Sequence, residues 1–286
     1  MLVRFQQKLP MTPRIAIPVP TSKDPAYNQR SWPTYATAVT RSGGEAVAVE
    51  LNSSPAEMST LVASCDGILL PGSPADVDPA LYGAERDPAS APADPAREAA
   101  DFLLLDHAEK FRKPVLAICY GVQSLNVWRG GTLVQDLAPL PVNHSAGSKV
   151  AIAHTAQIAP ASILASLLTP EEAPERDGFL RLPINTSHHQ SVAAPGTGLR
   201  IVARCPDDGV IEAVEMEPDD AVFHVEHSTH PQFVLGVQWH PERSYEISAA
   251  SRALFDRLIV EARMIGEARR RAIPIAAQPS NEGTAR

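Results

Sequence analysis

Aromatic residues are scarce in this chain, at 5% of 286 residues. Cysteines are scarcer: three of them, an odd number, far apart at Cys65, Cys119 and Cys205. That count fits a reducing cytoplasm better than a disulfide framework, with Cys65 and Cys205 as small core or surface residues. Basic excess is absent too. The net charge is −8 and no basic stripe runs along the chain, which argues against a nucleic-acid partner. The run Arg269-Arg270-Arg271 reads as a solvated helix end. No apolar run is long enough to span a bilayer. The amino terminus, with Arg4 and Lys8, lacks the sustained apolar stretch of a signal peptide. Internal repeats and domain-sized linkers are also missing. What is present is 44% hydrophobic residues, enough for one α/β domain with a sizeable core. We expect that domain over residues 13–262, an N-terminal extension over 1–12, and a helix end passing into a disordered tail over 263–286.

Strand-like and helix-like segments alternate through the first half. Residues 13–19, 46–51, 67–70 and 114–118 read as strands. Residues 32–42, stopping at Gly43-Gly44, then 56–64 and 97–111 read as helices. The last carries Phe102, Leu105 and Ala108 at helical spacing. This alternation predicts a mostly parallel central sheet flanked by helices. The second half is richer in short β segments, at 150–158, 200–205, 210–215, 221–226 and 233–239, which predict extra hairpins. Residues 84–96 and 170–178 read as loops, the first following a strand end where a site can lie.

The run Leu116-Ala117-Ile118-Cys119-Tyr120-Gly121-Val122-Gln123 carries the strongest chemical signal. A buried strand runs directly into Cys119 and then into a helix that stops at Gly130-Gly131. A cysteine at a strand-to-helix turn lies at the positive end of the helix dipole, where its thiolate is favoured. Gly121 lets the turn close without a Cβ clash. The layout is that of a nucleophile elbow. Alone, it fits a buried core cysteine ending a strand equally well. The second segment, Val234-Leu235-Gly236-Val237-Gln238-Trp239-His240-Pro241-Glu242, alters that balance. It is a strand delivering His240, with Glu242 two residues on. A thiol nucleophile needs a base, and the base needs an acidic partner to hold its tautomer.

With these two segments the chain resembles the class I glutamine amidotransferase-like group, whose fold is flavodoxin-like. Within that group it is most similar to the stand-alone γ-glutamyl-γ-aminobutyrate hydrolase branch. Three further pieces carry the resemblance, in the same order: Gly67-Ile68-Leu69-Leu70-Pro71-Gly72-Ser73-Pro74, Ile184-Asn185-Thr186-Ser187-His188-His189-Gln190, and Asp208-Gly209-Val210-Ile211-Glu212-Ala213. The resemblance implies Cys119 as nucleophile, His240 as general base and acid, and Glu242 as its orienting partner. It implies an oxyanion hole from Gly72, Ser73 and the Tyr120 N–H. It places Gln123, Ser187, His188, His189 and Gln190 against the glutamyl part of the substrate. The implied reaction hydrolyses a γ-glutamyl amide through a thioester, in amine or polyamine catabolism, on a small molecule and with no cofactor. A glutaminase subunit feeding a separate synthase, a glutamyl transferase and a non-catalytic binding protein are the alternatives. A homodimer through an exposed apolar helix face is compatible with the sequence.

Two departures bear on substrate choice. The hydrolase branch often has arginine after the cysteine, where this chain has Tyr120. The stretch between Glu212 and Val237 is longer than usual. Three histidines, His224, His227 and His230, recur every third residue. In an extended segment that spacing puts neighbours on opposite faces, so no metal site is expected from them. His144 and His154 read as ordinary loop or strand residues.

Overall fold

The computed structural model describes residues 11–137, 140–218 and 232–272. In chain order the elements are β1 (Arg14–Pro18), α1 (Pro25–Arg41), β2 (Glu45–Val49), α2 (Pro55–Ala63), β3 (Gly67–Leu70), α3 (Pro95–Phe111), β4 (Val115–Ile118), α4 (Tyr120–Trp128), β5 (Thr132–Val134), β6 (His154–Ile158), β7 (Glu175–Arg176), β8 (Phe179–Ile184), β9 (Ser191–Ala194), β10 (Leu199–Arg204), β11 (Ile211–Met216), β12 (Val234–Val237) and α5 (Ala249–Ala272). A 10-stranded sheet has the order β2-β1-β3-β4-β12-β11-β10-β6-β8-β7, and β5 pairs with β9 apart from it. From β2 to β12 all neighbours are parallel. From β12 to β7 they are antiparallel. The expected hairpins therefore continue the parallel sheet at one edge.

Period-two alternation sorts the parallel strands between two cores. Ile15, Ile17, Leu69, Leu116, Ile118 and Val237 face one side, where Val39 of α1 and Leu254, Phe255 and Leu258 of α5 cover them. Ala16, Ile68, Leu70, Val115 and Ala117 face the other, under Val62 of α2, Leu104 of α3 and Val122 of α4. With both faces covered, β3, β4 and β12 are buried along their whole length. This explains their unbroken apolar sequences.

Several boundaries differ from the sequence reading, each for a local reason. The helix expected from Trp32 starts at Pro25, because Asp24 caps the Tyr27 N–H and Pro25 fits the first turn. Pro33 lies inside that helix, on its exposed side. Likewise Asp94 accepts from the Arg97 N–H ahead of Pro95, so α3 begins within the expected loop 84–96. Ser54 and Glu57 form a capping box at α2. In the second half, β6 begins at His154 rather than 150. The pair β7–β8 takes up the end of the expected loop 170–178, and β8 and β9 had no counterpart in the reading. The Arg269–Arg271 end of α5 is not simply solvated: Arg269 pairs with Asp66 at 2.9 Å and donates to the Ala63 carbonyl at the end of α2. The expected strand 221–226, with His224, His227 and His230, lies outside the described residues. So do the first ten residues and the chain after Ala272.

Candidate active site

Cys119 caps the N-terminus of α4 with φ 53° and ψ −108°. Such a conformation in a non-glycine residue costs on the order of 1–3 kcal/mol and persists only where surroundings hold it. Here its N–H donates to the Val237 carbonyl of β12 at 2.8 Å, and its carbonyl accepts from Val122 at 3.1 Å. Gly121 follows because nothing larger fits: a Cβ there would clash with the Leu70 carbonyl of β3. The Tyr120 N–H opens the helix, where backbone donors have no intrahelical acceptor.

β12 runs on to His240. The backbone of His240 is clamped by one side chain: its N–H donates to Asn185 Oδ1 at 2.9 Å, and Asn185 Nδ2 donates to its carbonyl at 2.8 Å. His240 Nδ1 lies 2.8 Å from Glu242 Oε1. Cys119 is the second charged neighbour that acts on the ring. Burial alone would lower the His240 pKa, but the charges of Glu242 and Cys119 and the hydrogen bonds they make raise it to about 9. The imidazolium therefore dominates at neutral pH.

The loop after β3 closes over this pair. A Cβ on Gly72 would stand 3.1 Å from His240 Cε1 and 3.6 Å from Cys119 Cβ, so the backbone there approaches both side chains closely. The Gly72 N–H donates to Tyr35 Oη at 3.1 Å. Ser73 is half-buried, and its Oγ accepts from the Ala75 N–H. Arg97 fixes the loop from below. Fully buried, it donates to Pro71 O at 2.6 Å, to Pro20 O at 2.8 Å and to Asp101 Oδ1 at 2.7 Å. Its guanidinium lies 4.7 Å over the Tyr120 ring. An arginine thus does stand against the residue after the cysteine, supplied by α3. The sequence reading missed Arg97, Tyr35 and the role of Asn185. Arg97 and Asp101 share the buried stripe of α3 with Leu104, Leu105 and Ala108. A charged pair four residues apart on an apolar stripe is the signal that was available.

The residues expected to meet the glutamyl group fall in two places. Gln123 is buried and donates to Gln190 O at 3.1 Å and Gln238 Oε1 at 3.4 Å. Gln190 donates to Gln135 O, and its own Oε1 is buried without a hydrogen-bond partner. Ser187 is half-buried. His189 sits between Asp76 and Asp136, 3.1 Å from each. The hydrogen bond to Asp76 does most, against burial, to raise its pKa to about 9. Residues 84–96 reach the same region through Asp87 and Ser90, which donate to Gln135 Oε1. His188 points elsewhere, into a buried group with His144, His154 and Glu212. His144 and His154, read as ordinary from the sequence, therefore share an internal polar cluster.

A family model described as Peptidase C26 matches residues 18–242. The chain belongs to the peptidase C26 family. Gamma-glutamyl-gamma-aminobutyrate hydrolase PuuD of Escherichia coli (strain K12) is 34% identical over 234 residues, covering 79% of this chain and 83% of that protein. Rv2859c of Mycobacterium tuberculosis, named as a candidate glutamine amidotransferase, is 35% identical over 225 residues, 78% of this chain and 65% of that one. Among solved structures, a candidate GMP synthase component of Thermoplasma acidophilum superposes with a TM-score of 0.58 at 13% identity. The match covers 91% of this chain and 98% of that one. At that identity the likeness shows the fold. The family relationship supports a hydrolase. Among the described residues no helix is long and apolar enough to cross a membrane.

Proposed function

We propose that this family member hydrolyses γ-glutamyl amides, with γ-glutamyl-γ-aminobutyrate or a related γ-glutamyl amine as substrate, through a thioester on Cys119. The observation that carries this reading is the His240–Glu242 hydrogen bond beside Cys119, with the backbone of Gly72 closing over both His240 and the cysteine. The Cys119 thiolate attacks the γ-carbonyl carbon. The oxyanion is met by the backbone N–H groups of Tyr120 and Ser73, the Gly72 N–H being held by Tyr35 Oη. His240 gives its proton to the leaving amine as the C–N bond breaks. Water then attacks the thioester with His240 as base, and glutamate leaves with the thiol restored. The unpartnered Gln190 Oε1 is an acceptor for the α-ammonium of the glutamyl group. Free cysteines at all three positions support a reducing, cytoplasmic setting.

Glutamate release by the purified protein, beside Cys119→Ala, tests the reading. The panel is γ-glutamyl-γ-aminobutyrate, γ-glutamyl polyamines, a γ-glutamyl anilide and glutamine. Cleavage of the amides that depends on Cys119, with glutamine poor, is the expected result. Undiminished activity in Cys119→Ala sinks the mechanism. Turnover of glutamine alone replaces the reading with that of a glutaminase serving a separate synthase.

A further inference from the structure

Away from the sulfur, three histidines converge on one buried carboxylate. Glu212 belongs to β11 at an irregularity in its pairing with β10, where a bulge re-aims a side chain. It is 0% exposed, and neither carboxylate oxygen has a hydrogen-bond partner. His144 Nδ1, His154 Nε2 and His188 Nε2 are likewise buried and unpartnered. They stand 3.3, 3.5 and 3.9 Å from Glu212 Oε1.

The remaining ring nitrogens explain why these contacts are not ordinary hydrogen bonds. His144 Nε2 lies 2.9 Å from Asp208 Oδ2, His188 Nδ1 lies 2.9 Å from the Gln190 carbonyl, and His154 Nδ1 lies 3.4 Å from the Thr155 carbonyl. Each of these oxygens is an acceptor, so each of these nitrogens carries a proton. In a neutral ring the nitrogen left over is a lone pair, the form that binds a metal. Lone pairs aimed at a carboxylate repel it, and a cation between them, whether a proton or a metal ion, removes that repulsion.

We propose that His144, His188 and Glu212 bind a divalent transition-metal ion of the zinc class, and that His154, 3.5 Å from Glu212 Oε1, closes the site as fourth ligand by a small shift of its ring. Zinc bonds of 2.0–2.2 Å at tetrahedral angles put ligand atoms about 3.4 Å apart, close to the 3.3–3.9 Å between Glu212 Oε1 and the three histidines. The ligand atoms of His144, His188 and Glu212 all lie within 4.8 Å of one another. Imidazole with one carboxylate suits zinc. The protonated nitrogens have the outer partners that such ligands use, with Asp208 behind His144 and held in turn by the Val210 N–H at 3.1 Å. A cleft of about 380 Å³ bordered by Asp136, Asn143, His144, Ser145, His188 and His189 gives the ion a way in. The sequence hid this site because its ligands come from four separate segments. Bound there, the ion pins the loop carrying His188, whose neighbours Asn185 and Gln190 hold the His240 backbone and face Gln123.

The test uses the full chain. Metal is measured by mass spectrometry after purification without chelator. The protein is then stripped and titrated with Co²⁺, whose visible d–d bands report tetrahedral N/O ligation. We expect about one equivalent of metal, those bands on cobalt addition, and a melting temperature that falls on stripping and recovers with Zn²⁺. Glu212→Gln, nearly isosteric, should lose the bands. Asp208→Asn should weaken binding roughly 10–100-fold while keeping every ligand. Three results overturn the proposal: no metal retained and no bands in excess Co²⁺; a melting temperature indifferent to stripping; or bands unchanged in Glu212→Gln. Cys119→Ala should bind metal like the unaltered chain, so the metal and the thioester reading fail independently.

Discussion

Replacing Glu242 with glutamine keeps the shape beside His240 but removes the carboxylate 2.8 Å from Nδ1. Glu242 heads the influences that raise the His240 pKa from 6.5 to about 9 against burial. That rise is worth ~3 kcal/mol in favour of the imidazolium. Without the carboxylate the largest raising influence is gone, the pKa falls, and fewer molecules carry the imidazolium at pH 7.5. Two to three orders of magnitude in kcat/KM is the expected loss, since 1.36 kcal/mol is tenfold. Hydrolysis of a γ-glutamyl anilide against pH reads the change. In Glu242→Gln the alkaline limb that His240 sets in the kcat/KM profile should move to lower pH. An unchanged profile, or a kcat/KM within about threefold of the parent, would falsify the assignment of Glu242 as the group that holds His240 charged.

Other expectations follow from the same geometry. The His240 pKa is raised by folding, so its stabilisation is complete below about 6.5 and disappears as pH rises through about 9; kcat/KM should fall on an alkaline limb near pH 9, and a flat profile to pH 10 would contradict it. His189 follows the same sign, with its pairing to Asp76 and Asp136 lost through about pH 9; hydrogen exchange of residues 72–78 should quicken there, and His189→Gln should abolish the change. Gly121→Ala forces a Cβ into the Leu70 carbonyl and should cost about 1–3 kcal/mol or more, read as a lower denaturant midpoint. Arg97→Met leaves Asp101 buried and unpaired, together with two carbonyls; a loss of about 3–5 kcal/mol in denaturant titration is expected, and pairing it with Asp101→Leu should recover part of it.

The parallel half of the fold was legible because its strands are buried on both faces and read as unbroken apolar runs, as in Val115–Ile118. Helix starts were read late because caps such as Asp24 and Asp94 lie ahead of polar or Pro-bearing first turns with little apolar periodicity. β8 was missed because Pro183 and Arg181 interrupt its sequence, although it pairs with β6 along its length. The cysteine and histidine segments were visible because each is a strand running directly into a reactive side chain. Arg97, Asn185 and Tyr35 were not, since they act through backbone atoms of distant segments, and that proximity exists only in the folded chain.

The elbow at Cys119 is welded to two neighbouring strands, by its N–H on Val237 and by Gly121 against Leu70. Residues 84–96, by contrast, are held to Gln135 through hydrogen bonds to its side chain. Reactivity and selectivity are thereby mechanically uncoupled. A lineage can recut those loops, by insertion or exchange, without displacing the sulfur, and a designer seeking a new selectivity should leave β3, β4 and β12 untouched and work on that rim.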